Sequence, residues 1–233
     1  MLNMNYTLYI GNKNYSTWSM RPWVVMKYFD IPFNEKLVKF DSFNDDSLFK
    51  RTMYSVSKYG TVPILIDEDL VISDSLAICE YLAEKHHDLA LWPADSKKRA
   101  TARSLVAKMH SGFQAIRTYL PMNIEAEFPQ IGQIILRDHL EVKKEIMFLD
   151  DLLSSLLTSK QSNCDYLFGD FSIADGFYAP LCLRLKNYHI ATSPILNNYI
   201  DTICNTKGIK DWINDALQEK SFVAMDEPYR LHR

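Results

Sequence analysis

The 233-residue sequence is short of several features, and each shortage removes a class of function. It has 7 glycines and no G-x-G-x-x-G, so the turn that cradles a dinucleotide is missing. The 4 cysteines, Cys79, Cys164, Cys182 and Cys204, form no C-x-x-C pair and suggest no disulfide framework. There is no H-E-x-x-H, and the adjacent His86 and His87 have no partner at ligand spacing. No metal site is therefore expected, and this histidine pair reads as surface. No apolar run approaches the roughly 18 residues that span a bilayer. The N-terminus lacks the basic and apolar regions of a signal peptide. Lys and Arg total 26 against 29 Asp and Glu, a net charge of −3 without the basic excess of a nucleic-acid-binding protein. A reducing, cytoplasmic home is expected, so the Asn-x-Ser/Thr sequences at Asn5 and Asn14 carry no glycan. Cys79, Cys182 and Cys204 read as small buried hydrophobes, and Cys164 as an exposed loop residue.

What is present is an ordinary globular composition, 47% hydrophobic and 24% charged, in a chain long enough for a substantial core. Tyr6–Ile10 reads as a strand, Ser19–Phe29 as a helix and Phe33–Phe40 as a second strand. Asp41–Ser57 holds one irregular helix. Val62–Ile66 and Leu70–Ile72 form a hairpin around Asp67-Glu68-Asp69, and Asp74–His86 has helical spacing. The order βαβαββα predicts an α/β thioredoxin-like domain over residues 1–87. A linker at 88–95 leads to an all-α helical domain over 96–233. Long helices are expected over Lys97–Leu120 and Ile131–Leu157, with Pro121 and Pro129 bracketing the break between them. Further helices are expected at Ile173–Leu185, Pro194–Cys204 and Ile209–Leu217, before an irregular tail from Phe222. Ser172 and Asp175 have the spacing of a capping box, with Asp as a short variant and Gly176 unable to add a hydrophobic staple.

The most informative stretch is GTVPILIDEDLVISDSLAICEYL, from Gly60 to Leu82. Proline has no N–H, so Val62-Pro63 entering a strand leaves neighbouring backbone unpaired, and the bond is expected to be cis. Asp74-Ser75 then opens a helix whose N-terminus offers free N–H groups and a positive dipole end. A strand edge and an anion site thus lie together, suited to a peptide-like ligand with a free carboxylate. The same Asp and Ser also suit simple helix capping.

This arrangement resembles the glutathione-binding half of the glutathione S-transferase family. The resemblance implies that Val62 pairs with the backbone of glutathione's cysteine and that Asp74 and Ser75 hold the γ-glutamyl end. The segment Asn14-Tyr15-Ser16-Thr17-Trp18-Ser19-Met20-Arg21-Pro22-Trp23 is similar to the Ser-Ser-Cys-Ser-x-Arg motif of zeta-class members. By that match Ser16 is the catalytic hydroxyl that stabilises the thiolate and Thr17 supports it. Tyr15 is the rival donor, since a phenol can do the same work. Trp18 stands where the motif has cysteine. Trp18, Thr61, Val62, Pro63, Asp74 and Ser75 are then the glutathione-binding set. Thr61 replaces a longer Gln or Lys, a role Lys58 could fill from nearby.

The second substrate is expected against the first long helix, with Met109, His110, Phe113 and Arg117 as the candidate wall. Arg117 has the fork geometry for a carboxylate, although core packing of Met109 and Phe113 and an ion pair at Arg117 explain the same pattern. The resemblance implies a cytoplasmic homodimeric enzyme that joins glutathione to a small electrophile, with no metal, nucleic acid or membrane. Two alternatives stand beside it: a glutathione-dependent isomerase of the maleylacetoacetate type, and a non-catalytic binding or regulatory protein with the same fold.

Overall fold

The computed structural model describes residues 6–159 and 165–233, so Cys164 lies outside the described residues. Four strands form one mixed sheet in the order β2-β1-β3-β4. They are β1 (Tyr6–Ile10), β2 (Phe33–Leu37), β3 (Ile64–Asp67) and β4 (Leu70–Ser73). β1 runs parallel to β2 and antiparallel to β3, and β3 and β4 form a hairpin. The alternation in β1 sends Tyr6, Leu8 and Ile10 into the core. Helix α1 (Thr17–Tyr28) packs against α3 (Ser75–Lys85), while α2 (Leu48–Val56) carries Phe49 and Met53 into a second, smaller cluster with Ile64. The order is βαβαββα, a thioredoxin-like unit followed by an all-helical part.

The helical part holds α4 (Ser96–Ser111), α5 (Gln114–Tyr119), α6 (Pro129–Asp138), α7 (Leu140–Thr158), α8 (Ile173–Asn187), α9 (Pro194–Asn205) and α10 (Lys207–Glu219). Two expectations are corrected here. Lys97–Leu120 is not one helix: α4 stops at Gly112 and Phe113 takes the left-handed conformation, with φ of 57°. Ile131–Leu157 is likewise divided at His139, whose ring stacks on Tyr119 at 3.7 Å. In both places the apolar stripe resumes within a turn, so periodicity conceals the break.

A third correction concerns the histidine pair. His87 is exposed, but His86 is buried against Tyr6, whose hydroxyl lies 3.3 Å from its Nε2. Cys79, Cys182 and Cys204 are buried free thiols. The shortened capping box holds: Asp175 Oδ2 accepts from the Ser172 N–H at 3.0 Å, and Oδ1 accepts from Leu167 N and Tyr199 Oη. Gly176 supplies no staple because a Cβ there would lie 2.8 Å from Val25 Cγ2, where α8 crosses α1. No helix among the described residues is long and apolar enough to cross a membrane.

Asp175 is fully buried and satisfies four donors from three segments. Asp175→Ala should destabilise the fold by roughly 3 kcal/mol or more, since it removes a cap and orphans buried donors. Denaturant unfolding measures this, and a loss below about 1 kcal/mol would contradict it.

Candidate functional site

The site begins in the loop after β1. Gly11 to Thr17 are all buried, yet the segment carries polar side chains almost throughout, so each must find a partner. Lys13 Nζ meets Glu35 at 2.9 Å and Asp215 at 2.6 Å, and lies 4.5 Å from the Trp23 ring centre. Glu219 accepts from Lys13 N at 2.8 Å and from Asn12 Nδ2 at 3.2 Å. Trp212 Nε1 donates to the Lys13 carbonyl, and Asn14 bonds Asn123 and the Glu125 N–H. Most of these partners come from the helical part.

Held this way, Ser16 sits at the N-cap of α1, 6% exposed, and its Oγ donates to Ser19 Oγ at 2.7 Å. Ser19 Oγ also accepts the Gly11 N–H at 3.2 Å. Ser16 makes no capping bond, and with Thr17 it lines a cavity. Tyr15 differs. Its hydroxyl donates to Glu227 Oε1 at 2.6 Å, and burial, with that carboxylate, pushes its pKa up to about 12. A phenol so engaged is a poor donor to a newly formed anion.

The Gly60–Leu82 stretch forms the opposite wall. Val62-Pro63 is cis, and Val62 lies before the first ladder pair of β3. Asp74 has φ of 86°, a rare conformation for a residue with a side chain, and its Oδ1 caps α3 through Leu76 N and Ala77 N. Ser75 is fully buried, and its Oγ has no hydrogen-bond partner. An orphaned buried hydroxyl at a helix N-terminus is suited to an incoming carboxylate. These residues, with Thr61, line a cavity of about 400 Å³. Lys58 is exposed and does not line it; the nearby ammonium is Lys50, whose Nζ bonds the Gly60 carbonyl at 3.0 Å.

Trp18 joins this cavity to a second one of about 300 Å³ lined by Ser16, Thr17, Lys50, Arg117 and Arg184. Phe40, Phe43 and Phe49, packed edge to face, form its aromatic wall. The Arg21 guanidinium lies 4.0 Å from the Trp18 ring centre and Arg117 lies 5.4 Å from it. Arg21 is fully buried with no hydrogen-bond partner on any of its three nitrogens, so it forms no acid pair. Arg117 Nε and Arg184 Nη1 are also unpartnered. Burial, then repulsion from Arg117 and Arg184, pushes the Arg21 pKa down to about 9. Burial, then Arg117, lowers that of Arg184 to about 10.

Of the four residues expected to form the second-substrate wall, two are in the core and two lie near Trp18. Met109 and Phe113 are in the core, the latter against Tyr178. His110 faces the first cavity's side, 3.2 Å from Asp74 Oδ2 and edge-on to Trp18. Arg117 alone lines the second cavity, where one of its Nη atoms also donates to the Gly112 carbonyl. The helix break at Gly112 turns Phe113 into the core, while His110 and Arg117 both approach the Trp18 ring. Sequence reading used Arg21 only as the end of the serine motif and overlooked Arg184, Lys50 and the tail. Arg184 had a signal, a cation flanked by leucines in the apolar run of α8, whereas Glu227 in an irregular tail had none.

Residues 15–85 match the family model for the glutathione S-transferase N-terminal domain. Glutathione S-transferase 1 of Dianthus caryophyllus is 31% identical over 175 residues, covering 74% of each protein. Glutathione S-transferase Z1 of Arabidopsis thaliana is 38% identical over 107 residues, 44% of this chain and 45% of that protein, so there the match spans under half of the relative. A probable maleylacetoacetate isomerase of Caenorhabditis elegans is 28% identical over 83% of this chain and 85% of its own length. Among solved structures, a glutathione transferase homologue from Burkholderia GL BGR1 with bound glutathione superposes with a TM-score of 0.67. It is 24% identical and covers 93% of this chain and 99% of its own, a likeness of fold.

Two predictions follow from the charges. An unpaired buried cation does not stabilise the fold, so Arg21→Met should lower stability by no more than about 1 kcal/mol or raise it. A loss of several kcal/mol on denaturation would show that the charge is structurally required. Asp226, beside the second cavity, has its pKa raised from 3.8 to about 6, by burial and then by Glu227. The folded state therefore binds this proton more tightly, and the group's contribution favours folding below pH 4 and declines as pH rises through 6. Asp226→Asn should flatten that segment of the stability–pH curve, and an unchanged slope would contradict the assignment.

Proposed function

The chain belongs to the glutathione S-transferase family, and we propose that it is a glutathione transferase in which Ser16 holds the thiolate for attack on a small electrophile. One observation carries this reading: a buried serine that lines the cavity at a helix N-cap, its hydroxyl backed by a second one 2.7 Å away. A free thiol has a pKa of roughly 8.5, and a hydrogen bond to a charged group contributes about 1.5–3 kcal/mol. At about 1.36 kcal/mol per pKa unit, one such bond lowers the thiol by one to two units. Hydroxyl hydrogens rotate, so Ser16 turns its proton to the sulfur and Ser19 donates back to Ser16. The α1 dipole adds a smaller contribution.

In this reading Val62 aligns the cysteinyl backbone. Ser75 and the α3 N-terminus take the α-carboxylate, and Asp74 takes the ammonium. Burial lowers the His110 pKa below its ordinary 6.5, so the ring is neutral at pH 7 and leaves the Asp74 charge available. The thiol proton leaves to water, the sulfur forms a bond to the electrophilic carbon, and the displaced group departs with its electron pair. The buried cysteines are in keeping with a cytoplasmic protein, and a homodimer is proposed by analogy with the family.

A second reading, isomerisation of a maleyl-type compound, is favoured by the unpartnered Arg117 and Arg184 nitrogens in the second cavity. There the thiolate would add to a carbon–carbon double bond, allow rotation, and leave again. The tryptophan at the motif's cysteine position weighs against it.

Ser16→Ala should raise the pKa of bound glutathione by about one to two units and lower turnover at least about tenfold below that pKa. Thiolate absorbance titration and kinetics measure both, and an unchanged pair of values would remove Ser16 from this role. Arg117→Gln with Arg184→Gln should leave conjugation of a neutral chloronitrobenzene within about threefold. Abolished isomerisation of a maleyl compound in the same variant, where the parent isomerises faster than it conjugates, would put the second reading first.

A further inference from the structure

The tail after α10 bears on the Ser16 loop directly. Glu227 is buried, with a side chain 1% exposed, an unusual place for a carboxylate so near a chain end. Its two oxygens point to different parts of the molecule. Oε1 accepts from Tyr15 Oη at 2.6 Å; Oε2 accepts from Asn123 Nδ2 at 2.8 Å and from Arg230 Nε at 2.9 Å. Asn123 Oδ1 in turn accepts from Asn14 Nδ2 at 2.9 Å. Asn14 and Tyr15 are neighbours, so Asn14, Asn123, Glu227 and Tyr15 close a ring of hydrogen bonds on the two residues before Ser16. Tyr15 Oη also approaches the Ser221 carbonyl at 3.2 Å and the Val223 N–H at 3.4 Å. Arg230 supplies the compensating charge.

We propose that Glu227 is a positioning residue: through Tyr15 and Asn123 it sets the angle at which the Ser16 hydroxyl meets the glutathione sulfur. The proposal rests on the Ser16 reading above. Resting against a merely adhesive role for the tail is the division of labour between adjacent residues. Asp226 lines the substrate cavity while Glu227 turns inward to the loop, so one short segment shapes the cavity and aligns the donor. A small error in that alignment weakens the bond to the anion more than it weakens binding of the rest of glutathione.

The test uses the full chain with bound glutathione and compares Tyr15→Phe, Glu227→Ala, their double variant and Ser16→Ala. Tyr15→Phe removes only a hydroxyl and keeps the ring packing, which guards against a Glu227 variant that fails to fold. Each of the first two should raise the bound thiol's pKa by about one unit, a roughly tenfold loss of thiolate below that pKa, and lower kcat. KM for glutathione should stay within about twofold. The double variant should be no worse than the larger single one, because both break the same link. A fall in Tm with thiol pKa and kcat unchanged would overturn the proposal and leave Glu227 as a staple for the tail. A thiol pKa that Tyr15→Phe raises but Glu227→Ala leaves alone or lowers would also overturn it and make Tyr15 the donor. If Ser16→Ala shifts the thiol and Tyr15→Phe does not, only this proposal falls. If Ser16→Ala shifts nothing, the Ser16 reading falls and takes this proposal with it.

Discussion

The burial of a polar loop is the constraint on which the rest depends. Gly11 to Thr17 carry the site's hydroxyls through the middle of the molecule, where unsatisfied polar groups are costly. β2 and the chain just beyond it contribute Glu35 and the Phe40 N–H. The other long-range partners include Trp212, Asp215 and Glu219 from α10, Asn123 and Glu125 from the α5–α6 connection, and Glu227 from the tail. The sheet unit therefore cannot set the geometry of Ser16 by itself. Helix α10, about two hundred positions away, completes many of the loop's hydrogen bonds, and this ties the two parts of the chain together around the cleft. The Lys13 cation enclosed by Glu35, Asp215, Trp23 and Trp212 shows the same logic with charge.

The cleft itself is electrostatically unfinished. Arg21, Arg117 and Arg184 gather near Trp18, and the unpaired nitrogens among them have no acidic counterpart within bonding distance. Their mutual repulsion and desolvation disfavour the folded state, and stacking on an aromatic face offsets only part of that. An anionic ligand or a developing anion would complete the balance. This accounts for a site kept polar and positive inside a chain whose net charge is −3.

Much of this was legible in the sequence, for identifiable reasons. The Val62-Pro63 and Asp74-Ser75 signals are local, since proline chemistry and helix capping act within a few residues, and the βαβαββα order follows from short-range periodicity. The Ser16 motif was visible as a motif, but its link to Ser19 needed the helix geometry. What escaped was long-range. The stripe of His110, Phe113 and Arg117 assumed one helix, and a single left-handed residue at Phe113 breaks it, so that Phe113 enters the core while His110 and Arg117 lie near Trp18. His86 resembles a surface residue until Tyr6 is placed against it. Glu227 sits in a segment with no periodicity, and its importance lies in partners more than a hundred residues distant.

The most direct test of the account is an experimental structure of the protein with glutathione bound. It predicts the sulfur within hydrogen-bond reach of Ser16 Oγ, with Ser19 behind that oxygen and the γ-glutamyl carboxylate on Ser75 and the α3 N-terminus. A sulfur bonded instead to Tyr15 Oη, with Ser16 still turned to Ser19 and Glu227 released, would contradict it.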